Sequence, residues 1–315
     1  MPQAGRAGPI PVPQTGHTGS TPLPQAGRAI PAGRTGREGT VVREELRITI
    51  LGRLAVARRD GRTAAPTAPK ERKILALLLL NHGRVVPTHT LAEELWSAHP
   101  PRRIGASLQT YVLNIRDRLA RELGLPGRWV RDHLVVTSNE GYRFPSADGH
   151  FDLAEYLRLA DLGEAATARG DSADAVRALR SAESLWRGPV LPDLEHGLPL
   201  RSEIVRLEQR QLVVRELRIE GELRLGGHRR LVSELAMLTV RHPYHERFHE
   251  YLMLALHASG QTVQALEAYQ RLHRAMVQEI GIEPSARTRR LHQDILCARV
   301  PEPATPNAGQ PRIPS

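Results

Sequence analysis

IGASLQTYVLNIRDRLARELG, residues 104–124, is the stretch that decides the fold. Wound at about 100° per residue, Leu108, Val112, Ile115 and Leu119 fall within about 60° of one another, a stripe suited to burial. Thr110, Leu113, Asn114, Asp117 and Arg121 point away from it, flanked by Gln109, Arg116 and Arg118. Gly124 is the expected stop, because glycine adopts the left-handed conformation that ends helices.

The neighbouring segments make this the third helix of a three-helix unit. Pro69 stands at the first position of a helix through Ile74, Leu77 and Leu78, closed near Gly83. A second helix begins at Thr88 or Thr90 and carries Leu91, Leu95 and Trp96, the last a core residue; Pro100-Pro101 ends the connection after it. Upstream, residues 46–50 alternate with period two and residues 54–57 follow after a glycine, as short strands do. Downstream, residues 134–137 and 142–144 read as a hairpin turning through Ser138-Asn139-Glu140-Gly141. Strands, three helices and a hairpin are the order of an α+β winged helix-turn-helix, expected over residues 45–146.

From Phe151 to about Arg299 the pattern is helical, broken at Gly170-Asp171, Gly188-Pro189, Gly226-Gly227 and Ser259-Gly260. Pairs of about 34 residues with small residues at their crossings predict an all-α, tetratricopeptide-like repeat domain over residues 150–300. Residues 1–44, with PQAGRA at residues 2–7 and again at 24–29, and residues 301–315 are too poor in apolar side chains to offset the entropy of ordering. Both are expected to be disordered, with a translation start near Val41 as the alternative for the first.

Charge separates the two expected domains. Residues 45–145 carry 17 basic and nine acidic residues, whereas residues 146–315 carry 22 and 23. A basic, domain-sized block joined to a neutral one fits a polyanion-binding module with a partner domain. Of the 44 basic residues only Lys70 and Lys73 are lysines, a bias that a GC-rich coding sequence accounts for. The single cysteine, Cys297, rules out an intrachain disulfide. The longest apolar run, residues 74–80, falls far short of the roughly 18 residues that cross a bilayer. A cytoplasmic protein without a membrane partner is expected.

An exposed helix face of amide, hydroxyl and guanidinium groups suits the major groove. Gln109, Thr110, Leu113 and Asn114, with Ser107 near the helix start, are the candidate base-reading residues. Arg102, Arg103, Arg116, Arg118 and Arg121 are the candidate phosphate contacts. Asn139 and Arg143 are the candidate wing contacts to the minor groove or adjacent backbone.

A chemical rival runs through His245-Glu246-Arg247-Phe248-His249, an H-E-x-x-H spacing that sets two imidazoles one helical turn apart for zinc, with Glu267 nominated as third ligand. Against it, Pro243 places His245 at a helix start, where the positive dipole end disfavours a cation. Phe248, Leu252 and Ala255 on the same helix are also needed for packing. No metal, cofactor or catalytic site is expected. A second rival is a protein-interaction scaffold whose basic domain binds DNA weakly.

Taken in order, Ile48-Thr49-Ile50-Leu51-Gly52, residues 73–79, Val85-Val86-Pro87, residues 91–96, residues 108–112 and Gly141-Tyr142-Arg143-Phe144 resemble an OmpR-type winged helix. Leu185-Trp186-Arg187-Gly188, His242-Pro243, Glu246-Arg247, residues 252–256, Ser259-Gly260 and residues 280–284 resemble a bacterial transcriptional activation domain. Together they resemble the Streptomyces antibiotic regulatory protein family over residues 46–296. The resemblance implies an activator that binds direct repeats in promoters as a homodimer, recruits RNA polymerase holoenzyme and serves secondary-metabolite genes. Two departures stand out. The family commonly has a small residue and an arginine where this chain has Leu113 and Asn114, which implies a shifted DNA preference. Glu140 puts an acid at the wing tip, near the expected backbone contact. Larger relatives add a nucleotide-binding domain; no Gly-x-x-x-x-Gly-Lys-Ser/Thr loop occurs here, so no nucleotide dependence is expected.

Overall fold

The computed structural model describes residues 46–97, 99, 101–145 and 150–299. The two tails expected to be disordered, residues 1–44 and 301–315, lie outside the described residues.

β1 (Leu46–Thr49) and β2 (Ala55–Arg58) pair antiparallel, and β3 (Thr63–Ala64) extends the sheet. α1 (Pro69–Leu80) follows, with Pro69 in its first turn, where a missing N–H costs nothing. Its run from Ile74 to Leu80 is buried at every position, so the longest apolar stretch is a helix enclosed by protein. β4 (Val85–Pro87) leads into α2 (Thr88–Trp96), and α3 (Ile104–Leu123) comes next. Gly124, at φ 64°, ends α3 in the left-handed conformation.

A short helix, α4 (Gly127–His133), stands between α3 and the hairpin, where the sequence reading placed none. The hairpin strands are β5 (Val136–Ser138) and β6 (Gly141–Arg143), about two residues further along than expected at the first strand. The reason is burial: Leu134 and Val135 are 3% and 0% exposed, seated in the core ahead of the ladder. β6 also pairs with β4, making a three-stranded wing sheet in the order β4-β6-β5. β7 (His150–Phe151) runs parallel to β1 and completes a first sheet in the order β3-β2-β1-β7.

The rest is helical: α5 (Asp152–Ala168), α6 (Ser172–Glu183), α7 (Leu198–Arg224), α8 (His228–Arg241), α9 (Glu246–Ala258), α10 (Thr262–Ala275) and, after a π turn at Met276–Ile280, α11 (Ala286–Leu296). α5 packs on α6, α6 on α7, α8 on α9 and α9 on α10. Asp171 and Ser285 cap α6 and α11 by accepting the N–H groups of Asp174 and Thr288. Gly188-Pro189 does not make a tight interhelical turn: a loop follows it, and then the 27-residue α7.

One hydrophobic core runs unbroken from Leu46 through the winged helix into α5, α6 and the first half of α7; a second joins the end of α7 to α8, α9, α10 and α11. Polar contacts seal the first. The buried Asp152 carboxylate accepts the N–H groups of Ile50 (3.0 Å) and Leu51 (3.2 Å). The buried Glu94 carboxylate accepts those of Gly197 (2.8 Å) and Leu200 (3.0 Å), satisfying the otherwise orphaned N-terminus of α7. Arg72 and Asp193 pair at 2.7 Å across the same seam.

Candidate nucleic-acid interface

α3 buries Leu108, Val112, Ile115, Leu119 and Leu123 and turns its other face to solvent. On that face Gln109, Thr110, Leu113, Asn114, Asp117 and Arg121 are exposed, Leu113 by 55% of its surface. Ser107 is half-buried one turn from the helix start, and Arg102 and Arg103 are exposed just before it. Gln109, Thr110, Leu113 and Asn114 therefore share an accessible surface, with free guanidinium groups at both ends of the helix.

Several of these side chains already have partners. The Thr110 hydroxyl donates to the Ala106 carbonyl at 3.0 Å. Asn114 Nδ2 donates to Glu71 Oε1 at 2.9 Å, and Glu71 is itself only 6% exposed on α1. Arg116 is bent back onto the hairpin: its Nε and Nη2 donate to the Val135 carbonyl at 2.8 and 2.6 Å, and Nη2 also reaches Thr137 Oγ1 at 2.8 Å. Burial lowers Arg116 from the ordinary arginine range and raises the neighbouring Tyr142 phenol. Arg116, named among the phosphate contacts from sequence, thus fastens the wing to the helix. Arg118 pairs with Glu122 one turn on, at 3.1 Å. Arg121 stays exposed in the last turn, where the helix dipole favours a cation.

In the wing, Asn139 and Glu140 are exposed at the tip and Arg143 projects from β6. The Glu140 carbonyl accepts from the N–H (3.0 Å) and hydroxyl (3.2 Å) of Thr88, so the tip also holds the start of α2. Arg128 and Arg131 on α4 add exposed cations near the hairpin, each beside Asp132. Sequence reasoning missed Glu71 and α4. Glu71 lies 43 residues from Asn114, a separation with no local sequence signature.

The H-E-x-x-H side chains turn to three separate partners. His245 Nε2 lies 3.1 Å from Glu216 of α7, Glu246 accepts from the Ser285 N–H (2.8 Å) and the Thr288 hydroxyl (2.6 Å), and His249 Nε2 bonds the Pro243 carbonyl at 3.1 Å. Burial pushes His249 down to about 4, keeping it neutral inside the helical core. Glu267 is exposed on α10. Among the described residues no three His, Cys, Asp or Glu side chains are grouped to hold a metal ion.

A basic winged helix sharing its core with a helical repeat defines a class, the two-part transcriptional regulator, and comparison with known families agrees. Residues 62–144 match the family described as transcriptional regulatory protein, C terminal, and residues 151–296 match the bacterial transcriptional activator domain. The chain belongs to the Streptomyces antibiotic regulatory protein family. It is 40% identical over 253 residues to regulatory protein DnrI of Streptomyces peucetius, covering 80% of this chain and 93% of that one. It is 37% identical to regulatory protein AfsR of Streptomyces coelicolor over 80% of this chain but only 24% of that longer protein. Among solved structures, Mycobacterium tuberculosis EmbR in complex with a low-affinity phosphopeptide matches with a TM-score of 0.73 and 31% identity, over 81% of this chain and 65% of that one. No helix among the described residues is long and apolar enough to cross a membrane.

Proposed function

We propose that this regulator is a sequence-specific activator of a secondary-metabolite, antibiotic-type gene cluster, working in the cytoplasm on direct repeats in its promoters. The observation that carries the reading is the exposed face of α3, where Gln109, Thr110, Leu113 and Asn114 stand together between arginine-bearing ends. Ser107 and these four read base edges. Arg102, Arg103, Arg118 and Arg121 contact phosphates, and Asn139 and Arg143 follow the wing into the adjacent groove or backbone. Arg116 contributes by holding the wing in place.

Direct repeats place two protomers head to tail rather than about a two-fold axis. The helical half holds them together and touches RNA polymerase holoenzyme. Membership of the Streptomyces antibiotic regulatory protein family, with DnrI matched over 93% of its own length, supports the antibiotic-pathway reading.

The test is fluorescence anisotropy of the full chain on DNA from upstream of its neighbouring genes, against a scrambled duplex, across a salt series. The expected result is preference for the upstream sequence, with affinity falling steeply as salt rises. Arg121→Ala should weaken both duplexes alike and reduce the salt slope by about one. Equal, weak binding to both would overturn the reading and favour the interaction scaffold.

A further inference from the structure

The hydrogen-bond polarity of the groove-facing stripe is set from inside the protein. Residues 110, 114 and 117 are spaced four and three apart, so they lie on one face of α3. All three are exposed. The Thr110 hydroxyl has a single proton, and it is committed to the Ala106 carbonyl at 3.0 Å, which leaves only lone pairs for an outside partner. The Asn114 amide has two ends, and its Nδ2 is committed to Glu71 Oε1 at 2.9 Å. A carboxylate only accepts hydrogen bonds, so the amide cannot flip without setting two acceptor oxygens against each other. Glu71 is buried, so water does not readily take over its role. Asn114 therefore keeps Oδ1 free as an acceptor. Asp117 is an acceptor by nature.

We infer that Glu71 is a positioning residue that fixes the polarity of Asn114, so that α3 presents a stripe of acceptors and selects adenine or cytosine on the strand it faces. This rests on the reading of α3 as the groove-reading helix. In the major groove only adenine N6 and cytosine N4 offer donors, while guanine O6 and thymine O4 are acceptors. Every base pair has one such amino group, so the selection is for which strand carries it. The second Nδ2 hydrogen of Asn114 can add a bond to adenine N7, which ranks adenine above cytosine at that position. Thr110 and Asn114 are separated by about 6 Å along the helix axis, close to two base-pair steps of about 3.4 Å. Two selected positions about two steps apart are thus expected.

The experiment is selection from randomised duplexes by the full-length chain, with sequencing of the bound pool, for the unmodified protein, Glu71→Gln, Asn114→Ala, Thr110→Val and the Glu71→Gln/Asn114→Ala pair. Asn114→Ala identifies the base position that Asn114 reads. In the unmodified protein that position should favour adenine or cytosine over guanine or thymine by about tenfold or more. A glutamine at position 71 can accept or donate, so Asn114 becomes free to flip. In Glu71→Gln the preference should fall to about threefold or less at that position alone, and the paired variant should match Asn114→Ala. Thr110→Val should erase a similar preference at a second position, and it tests the stripe independently if Glu71→Gln fails to fold.

A guanine or thymine at the Asn114 position would overturn the inference. So would Glu71→Gln leaving the preference intact, or lowering affinity for all sequences alike as a purely structural residue would. Those results would leave DNA reading by α3 standing. If the unmodified protein enriches no sequence at all, the DNA-reading assignment fails first and this inference falls with it.

Discussion

Gly141 has no room for a methyl group. A Cβ built there would lie 2.1 Å from the Val86 carbonyl oxygen and 3.0 Å from Pro87 Cα, because β6 and β4 pair through Pro87 and Gly141. The neighbouring atoms are backbone, which cannot rotate away as a side chain does. Gly141→Ala should therefore push the wing strands apart and cost about 1–3 kcal/mol, as overpacking does. Urea unfolding checks this, with Gly105→Ala as the control. Gly105 lies in the first turn of α3 with nothing within 4 Å of a built Cβ. There, alanine should stabilise by about 0.5–1 kcal/mol through helix propensity. Equal effects at the two glycines would mean that the β4–β6 approach is looser than described.

At the scale of elements, α3 and the hairpin act as one unit because Arg116 ties them. Its guanidinium makes three hydrogen bonds to Val135 and Thr137, the only link of its kind from α3 to β5 and the residues before it among the hydrogen bonds described. Arg116→Ala should cost about 1.5–3 kcal/mol, the range for hydrogen bonds to a charged group. It should also raise amide exchange in β5 and β6 and weaken binding to all DNA sequences alike. Slowed or unchanged exchange in β5 would remove the strap from the account. The helix itself was legible in the sequence, since a 3.6-residue stripe and a glycine stop are local features. The hairpin was legible to within two residues. It was displaced because Leu134 and Val135, apolar like strand residues, belong to the core instead. What stayed hidden was set by distance along the chain. Arg116 meets Val135 across 19 residues, Asn114 meets Glu71 across 43 and Glu94 meets Gly197 across 103. Such partners are chosen by packing, and no spacing rule announces them. α4 escaped notice because seven residues opening on glycine carry too little periodicity.

The whole molecule is held together by a buried polar seam, which a basic domain joined to a neutral one did not reveal. Glu94 caps α7 from the winged-helix side, and Asp152 at the start of α5 accepts the backbone of Ile50 and Leu51 from the helical side. With a core continuous across the seam, the two halves should unfold in one transition. Asp152 makes the seam sensitive to pH. Burial raises its carboxyl from 3.8 to about 6, opposed by the N–H groups of Ile50, Leu51 and Leu153 and by the nearby Arg187 charge. In the unfolded chain the same group ionises near its ordinary value. Between the two values the folded protein therefore holds the proton that the unfolded chain releases. The resulting stabilisation is complete below about 4 and is lost as pH rises through 6, and it amounts to roughly 2–3 kcal/mol. Histidines act in the opposite sense: His82 and His249 are shifted down by burial, so each costs stability as pH falls below 6.5. Comparing the protein with Asp152→Asn cancels those contributions, since both carry the same histidines. Asparagine adds a constant loss, because its Nδ2 cannot accept from Leu51. Denaturant unfolding of both proteins from pH 8 to pH 5 should show the unmodified chain gaining on the variant by about 1–1.5 kcal/mol, roughly half of the total, with nearly all of that gain between pH 7 and 5. A difference that is flat over this range would mean that Asp152 is ionised throughout, with its two backbone donors outweighing burial. The seam would then be a charged clasp, indifferent to pH in the range where the regulator works.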